Sequence, residues 1–279
     1  MEHPKSKIQN PKSGLVGALG FALLVGLVIM AVFPQHIAPY DPTERVARPL
    51  QRPSPEFVLG SNDIGQDILS ELIWGTRISL GIGLTVAVLA VTIGVVVGLI
   101  SGYSDGLVSR LLMRLVDLTL VLPFLPLVIL LSAYLGPNQR NVVLILTLVS
   151  WAGPARLIRS RVLAMLTEPF IEAARALGCT PWRIIIVHLW PGVRTIALAQ
   201  ALLVASTSIL AEASLSFLGL ADPSAKSWGT MLFFARTSGA FLGDSWRWWV
   251  LPTGLMITLA VLSLVLIGYS LERRLEPGL

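Results

Sequence analysis

The sequence predicts an all-α polytopic membrane protein with six transmembrane helices, and three observations carry that prediction. Of the 279 residues, 54% are hydrophobic and only 13% are charged, whereas a water-soluble domain carries about a quarter charged residues. The mean hydropathy is +0.76. Long uncharged apolar runs recur along the chain. A helix rising about 1.5 Å per residue needs roughly 20 of them to cross about 30 Å of hydrocarbon. Backbone groups in lipid must bond within their own segment, so each run is read as a helix.

Residues 1–13 form a tail carrying Lys5, Lys7 and Lys12. The apolar run 14–33 is the first span; it lacks a small-x-small cleavage pattern and is read as uncleaved. Residues 34–75 are polar and Pro-rich, too charged to enter lipid. Five further spans lie within 76–271. The second, 78–104, carries Gly81, Gly83, Gly94 and Gly98, which permit close helix contacts. The third, 118–139, is expected to kink at Pro123 and Pro126. The fourth, 141–155, is short, and Arg140 and Arg156 flank it as snorkelling groups. The fifth, 195–219, is interrupted by Glu212. The sixth, 248–271, opens with Trp246, Trp248 and Trp249, rings suited to the headgroup level. Residues 272–279 form the second tail.

Six spans put both ends on one side. That side holds the N-terminal lysines, Arg110 and Arg114, six arginines between 156 and 194, and Arg273 and Arg274, thirteen of the 21 basic residues. The positive-inside rule then makes both tails cytoplasmic and residues 34–75 extracytoplasmic. The net charge of +5 forms no dense patch, so nucleic acid is not an expected partner; the bilayer is. The lone Cys179 excludes an intrachain disulfide, and His3, His36 and His188 are far apart, so no metal ligands are assigned. No phosphate-binding GxxxxGK[ST] string exists: Lys5, Lys12 and Lys226 each precede Ser, but Pro4, Pro11 and Ala225 stand before them where the motif needs Gly. Nor is there an HExxH, and Phe241 spoils a GxGD pattern at Gly243-Asp244. No catalytic residue and no directly bound cofactor are assigned.

The stretch 156–194, between the fourth and fifth spans, is the most informative. Residues 172–177 form a good helix run that Gly178 is suited to end. Thr180 and Pro181 read as the cap and first position of a second short helix. The expected shape is helix, tight turn, helix, outside the membrane. The spacing Glu172, Ala173, Ala174, then Gly178, then Pro191 resembles the signature of binding-protein-dependent permeases of ABC importers. The resemblance implies the type I permease fold, with this segment, 160–191, holding a coupling helix that docks on an ATPase subunit. Small Ala and Gly residues permit close approach there, while Glu172, Arg175 and Arg183 can pair with that partner. An interfacial amphipathic helix would be the bland alternative; an isolated Glu-Ala-Ala would favour it, the spaced Gly and Pro do not.

Further strings resemble the second permease of the peptide and nickel branch over nearly the whole chain: residues 59–67 and 75–80, Gly102-Tyr103, Met113-Arg114 with Asp117, 215–220, and Ser227-Trp228-Gly229. Gln66 departs from the family's usual Arg; Trp190, Gly192 and the ending 268–272 depart as well. The resemblance implies a second homologous permease subunit, one or two ATP-binding subunits carrying ATP and Mg, and an extracytoplasmic solute-binding protein, in a prokaryotic cell membrane. Di- or oligopeptides are the implied cargo, with nickel chelates and oligosaccharides served by near relatives.

Glu212 is a pathway candidate, because an ionisable group inside a span is costly; a structural hydrogen bond near the outer end is the competing reading. Asp117 is expected to pair with Arg114 or cap a helix. Asp63, Asp67 and Glu71 match no calcium loop and are read as a solvated outer segment. A stand-alone secondary transporter would need several intramembrane carboxylates or an internal repeat, and the sequence has one such Glu and no evident repeat.

Overall fold

The computed structural model describes the backbone of residues 11–275 and the side chains of residues 15–271. The outermost parts of both expected tails lie outside the described residues. Among those described, the regular structure is helical: α1 (Pro11–Val32), α2 (Pro34–Ile37), α3 (Ile68–Tyr103), α4 (Leu107–Val121), α5 (Phe124–Leu135), α6 (Gln139–Ser150), α7 (Ala152–Leu166), α8 (Pro169–Ala176), α9 (Pro181–Arg183), α10 (Trp190–Phe217), α11 (Trp228–Thr237) and α12 (Val250–Leu275). A π-helical turn, Ile184–Leu189, joins α9 to α10, and a 3₁₀ turn, Asp244–Arg247, precedes α12.

Helix α3 is the centre of the bundle. Its 36 residues span about 54 Å, and α1, α6, α7 and α10 pack around it, while α12 lies against α1 and α10. The approach of α3 to α7 is close because a stripe of small residues faces it. A Cβ on Gly94 would meet the Trp151 carbonyl at 2.9 Å, and one on Gly98 the Ala155 carbonyl at 2.8 Å. Gly83 does the same against Ile209 of α10, with 2.5 Å available. Gly81 faces open space, so of the four glycines singled out in this span it alone makes no close contact. On α1, Leu15, Leu19, Phe21, Val25 and Ile29 are exposed, an apolar face suited to hydrocarbon.

Five stretches are long and apolar enough to cross a membrane: Leu15–Val32, Ile68–Tyr103, Gln139–Leu166, Pro181–Phe217 and Asp244–Leu271. The third expected span is different. It is not one kinked helix over 118–139 but two helices, α4 and α5, meeting at 90°. Pro123 lacks the N–H that would continue the ladder, and it holds Leu122 extended at ψ 133°. Taken as one broken span, the bent pair makes a sixth crossing; taken as a re-entrant loop, it leaves five.

Other boundaries shift too. Helix α3 begins ten residues before the expected second span, so residues 68–75 belong to it and not to the segment before it. Asp67 caps it: its carboxylate accepts from Ser70 N–H at 2.8 Å and from Ser70 Oγ at 2.7 Å. The fourth span continues through α7 to Leu166, and Pro181 opens a helix that does not stop until Phe217. The loop expected over 160–191 is thereby reduced to residues 167–180. In the segment before α3, Thr43 donates its hydroxyl and N–H to Asp41 and holds that carboxyl below its ordinary pKa.

Candidate coupling elbow and polar clasp

At one end of the bundle, α8 forms an elbow between α7 and the long helix that includes α10. Its sequence PFIEAARA places Ile171 and Ala174 on one face, and both are buried. Glu172, Ala173 and Arg175 lie on the exposed face. Gly178 ends the helix at φ +77°. Its N–H donates to the Arg175 carbonyl at 3.0 Å, and the Cys179 N–H donates to the Ala174 carbonyl at 3.1 Å, a Schellman pair. Nothing lies within 4 Å of a Cβ built on Gly178. The glycine is needed for its left-handed backbone, not for space.

Pro181 opens the next helix as expected, but Thr180 makes no side-chain capping bond. Arg183 is exposed there. Pro191 sits just after the π-helical turn, in which the Trp190 N–H reaches the Ile185 carbonyl. A proline has no N–H to return to the preceding turn, so a wide turn is a local way to accommodate it without breaking the helix. Of the sequence-predicted coupling residues, Glu172, Ala173, Arg175, Gly178, Arg183 and Pro191 are exposed at this end, whereas Ala174 faces the core. The Arg175 guanidinium lies 5.7 Å over the Tyr103 ring at the end of α3, so it steadies the elbow. Among the described residues, Glu172 and Arg183 make no ion pair. Phe170, Leu177 and Trp182 add exposed apolar surface beside them.

Asp117 does not pair with Arg114. It binds Arg156 of α7 across the interface between α4 and α7, and this exposed pair contributes little to stability.

The opposite end of the bundle holds a buried polar network. Glu212, 1% exposed, accepts from Ser216 Oγ at 2.7 Å and Ser227 Oγ at 2.8 Å, with Ser79 Oγ at 3.5 Å. One carboxylate thus ties α10 to α3 and to the start of α11. It also borders a narrow crevice with Gln139, Val142 and Asp222. Ser227 caps α11 reciprocally with Thr230. Trp228 is fully buried; its indole N–H donates to the Leu72 carbonyl at 3.1 Å and its backbone N–H to Ser79 Oγ at 3.2 Å. A Cβ on Gly229 would lie 2.9 Å from the Ala213 carbonyl. Each member of the Ser-Trp-Gly string therefore seats α11 on α3 or α10.

Lys226 completes this clasp. Its Nζ lies 2.5 Å from Glu71 Oε1 and 2.6 Å from Gln66 Oε1. Gln66 in turn accepts from Asn62 Nδ2 at 2.9 Å and donates to the Thr43 carbonyl at 2.9 Å. Asp67 and Glu71 are buried, at 1% and 3% exposed, and not part of a solvated segment. The departure at Gln66 has a reason here: an arginine would sit against the Lys226 ammonium. Sequence reasoning noted Lys226 only as a failed phosphate motif. Its signal was a lone lysine beside Ser-Trp-Gly, but its partners lie 155 and 160 residues away.

Residues 94–279 match the family model described as "Binding-protein-dependent transport system inner membrane component". The chain belongs to this family. Such a permease is a transport subunit, and the ATP hydrolysis that energises it is carried by other subunits, so an ATPase and a binding protein are its partners. Among curated relatives, the di/tripeptide transport system permease protein of Pseudomonas aeruginosa (strain UCBPP-PA14) is 38% identical over 95% of this chain and 88% of its own length. The dipeptide transport system permease protein of Escherichia coli (strain K12) is 41% identical over 94% and 88%. That of Haemophilus influenzae is 33% identical over 96% and 91%. The permease fold, the inner-membrane setting and the transport role read from the sequence accord with these matches.

Proposed function

We propose that this permease translocates di- or oligopeptides delivered by an extracytoplasmic solute-binding protein. It works beside a second homologous permease subunit and takes its motion from one or two ATP-binding subunits. ATP and Mg bind those subunits and not this chain. Both termini and the elbow face the cytoplasm; the clasp faces outward. The peptide cargo is supported by the names of the relatives and by their identity over nearly the full chain.

The observation that carries the reading is the elbow. Glu172, Ala173, Gly178 and Arg183 are exposed beside Phe170, Leu177 and Trp182, while Ile171 and Ala174 root α8 in the core. A short rigid helix with small residues and unpaired charges is suited to a cleft on an ATPase, and its rooted face carries displacement into α7 and α10. The double variant Glu172→Lys, Gly178→Leu tests this. It is expected to reach the membrane, to co-purify less ATPase and to lose dipeptide uptake. Wild-type uptake and wild-type ATPase recovery would reject the coupling role.

A further inference from the structure

The end of the bundle that carries the clasp also holds a cation to which the transport role assigns no task. Arg236 lies in the last turn of α11. Its guanidinium sits 4.9 Å over the Phe217 ring and 5.5 Å over the Phe233 ring. Phe241 flanks Phe217 at 6.2 Å between ring centroids, and Phe234 flanks Phe233 at 5.4 Å. A guanidinium is planar and weakly hydrated, so aromatic faces hold it while its N–H edge stays free. The backbone beneath is set as well. Gly239, at φ +77°, donates to the Arg236 carbonyl at 3.2 Å, and Ala240 donates to the Ala235 carbonyl at 2.9 Å.

Arg236 is nonetheless exposed, and among the described residues no carboxylate lies within ion-pair reach of it. Two other basic residues differ: Arg52 pairs with Asp244 at 3.0 Å and Lys226 with Glu71. Phe241, which flanks the Phe217 ring under Arg236, is exposed, and so are Leu218 and Leu242, the chain neighbours of those two rings, the last 96% exposed. An exposed arginine pinned on two aromatic rings, with exposed apolar residues next to those rings, has the composition of a binding hot spot. Conformational entropy that docking would cost an ordinary arginine is already lost here.

We propose that Arg236 receives a carboxylate of the solute-binding protein, with Leu218, Phe241 and Leu242 as the apolar rim that excludes water around the pair. The partner's surface is accordingly acidic at its centre and apolar around it. This rests on the importer reading above, which turns this end of α10, opposite the elbow, toward the delivered solute. A headgroup-seeking arginine extends its stem toward phosphate, whereas this one lies against two rings.

The test uses the assembled importer in phosphatidylcholine nanodiscs, titrated with the binding protein of the same system loaded with dialanine, and reads ATPase stimulation. Arg236→Glu is expected to raise the half-stimulating concentration at least tenfold, to leave basal and plateau rates unchanged, and to flatten the salt dependence. Arg236→Gln is expected to act in the same direction by less, and it serves if the glutamate variant does not assemble. A wild-type titration curve in both variants would overturn the proposal. So would a difference that arises only in nanodiscs containing phosphatidylglycerol, which would assign Arg236 to lipid phosphate. A wild-type importer that no binding protein stimulates would overturn the importer reading itself, and this proposal with it.

Discussion

Replacing Lys226 with methionine removes the only cation bonded to the Glu71 carboxylate among the described residues. The Glu71 side chain is 3% exposed and that of Lys226 is 21% exposed. Breaking a buried pair from one side costs about 3–5 kcal/mol, chiefly because a charge is left without a partner. Water reaches one end of this pair, so the lower figure applies, about 3 kcal/mol or roughly 100-fold in the folding equilibrium. The double variant Lys226→Met, Glu71→Gln removes both charges and is expected to return to within about 1 kcal/mol of wild type. A third variant moves the charge instead. Because Gln66 Oε1 lies 2.6 Å from Lys226 Nζ, Gln66→Arg in the Lys226→Met background supplies a cation to the same carboxylate and is expected to recover most of the loss. Thermal unfolding of the assembled importer in detergent measures all three. A Lys226→Met protein that unfolds with wild type, or a double variant no better than the single, would refute the clasp as a source of stability.

Two other outcomes use the same unfolding assay. Gly98→Val places a side chain 2.8 Å from the Ala155 carbonyl and should cost about 1–3 kcal/mol by forcing α3 from α7, while Gly81→Ala, in open space, should change stability by less than about 0.5 kcal/mol. Glu212→Gln keeps an acceptor for Ser216 and Ser227 and should lose about 1 kcal/mol, whereas Glu212→Leu strands those hydroxyls and should lose about 3 kcal/mol; equal losses in both would remove Glu212 from the network.

The elbow was legible because its information is local. Helix propensity over 172–177, a glycine positioned to end it and a proline able to start the next helix are readable from neighbours alone, and Gly178 indeed closes α8. The start of α3 was not legible for a related reason. Asp67, Glu71 and Arg77 make residues 64–77 resemble a water-exposed segment, yet Asp67 is spent as a cap and Glu71 is neutralised by Lys226. Ala174 reads as one member of a signature, and only the packing of α8 turns it inward beside Ile171. The 90° bend at Pro123 was foreseeable as a kink but not as a division into two helices, because a proline interrupts one helix without setting the angle of the next.

Composition and the lengths of apolar runs, taken alone, determined that this chain belongs in a bilayer, that its spans are helices, and where the helical elbow lies between two of them. These are sums over neighbouring residues, and the hydrocarbon admits few other solutions. Tertiary structure alone decided that Lys226 neutralises Glu71, that Glu212 binds serines from three helices, and that Arg236 rests between two phenyl rings. Each of those depends on which helix faces lie together across many intervening residues, and that is a property of packing which no local window contains.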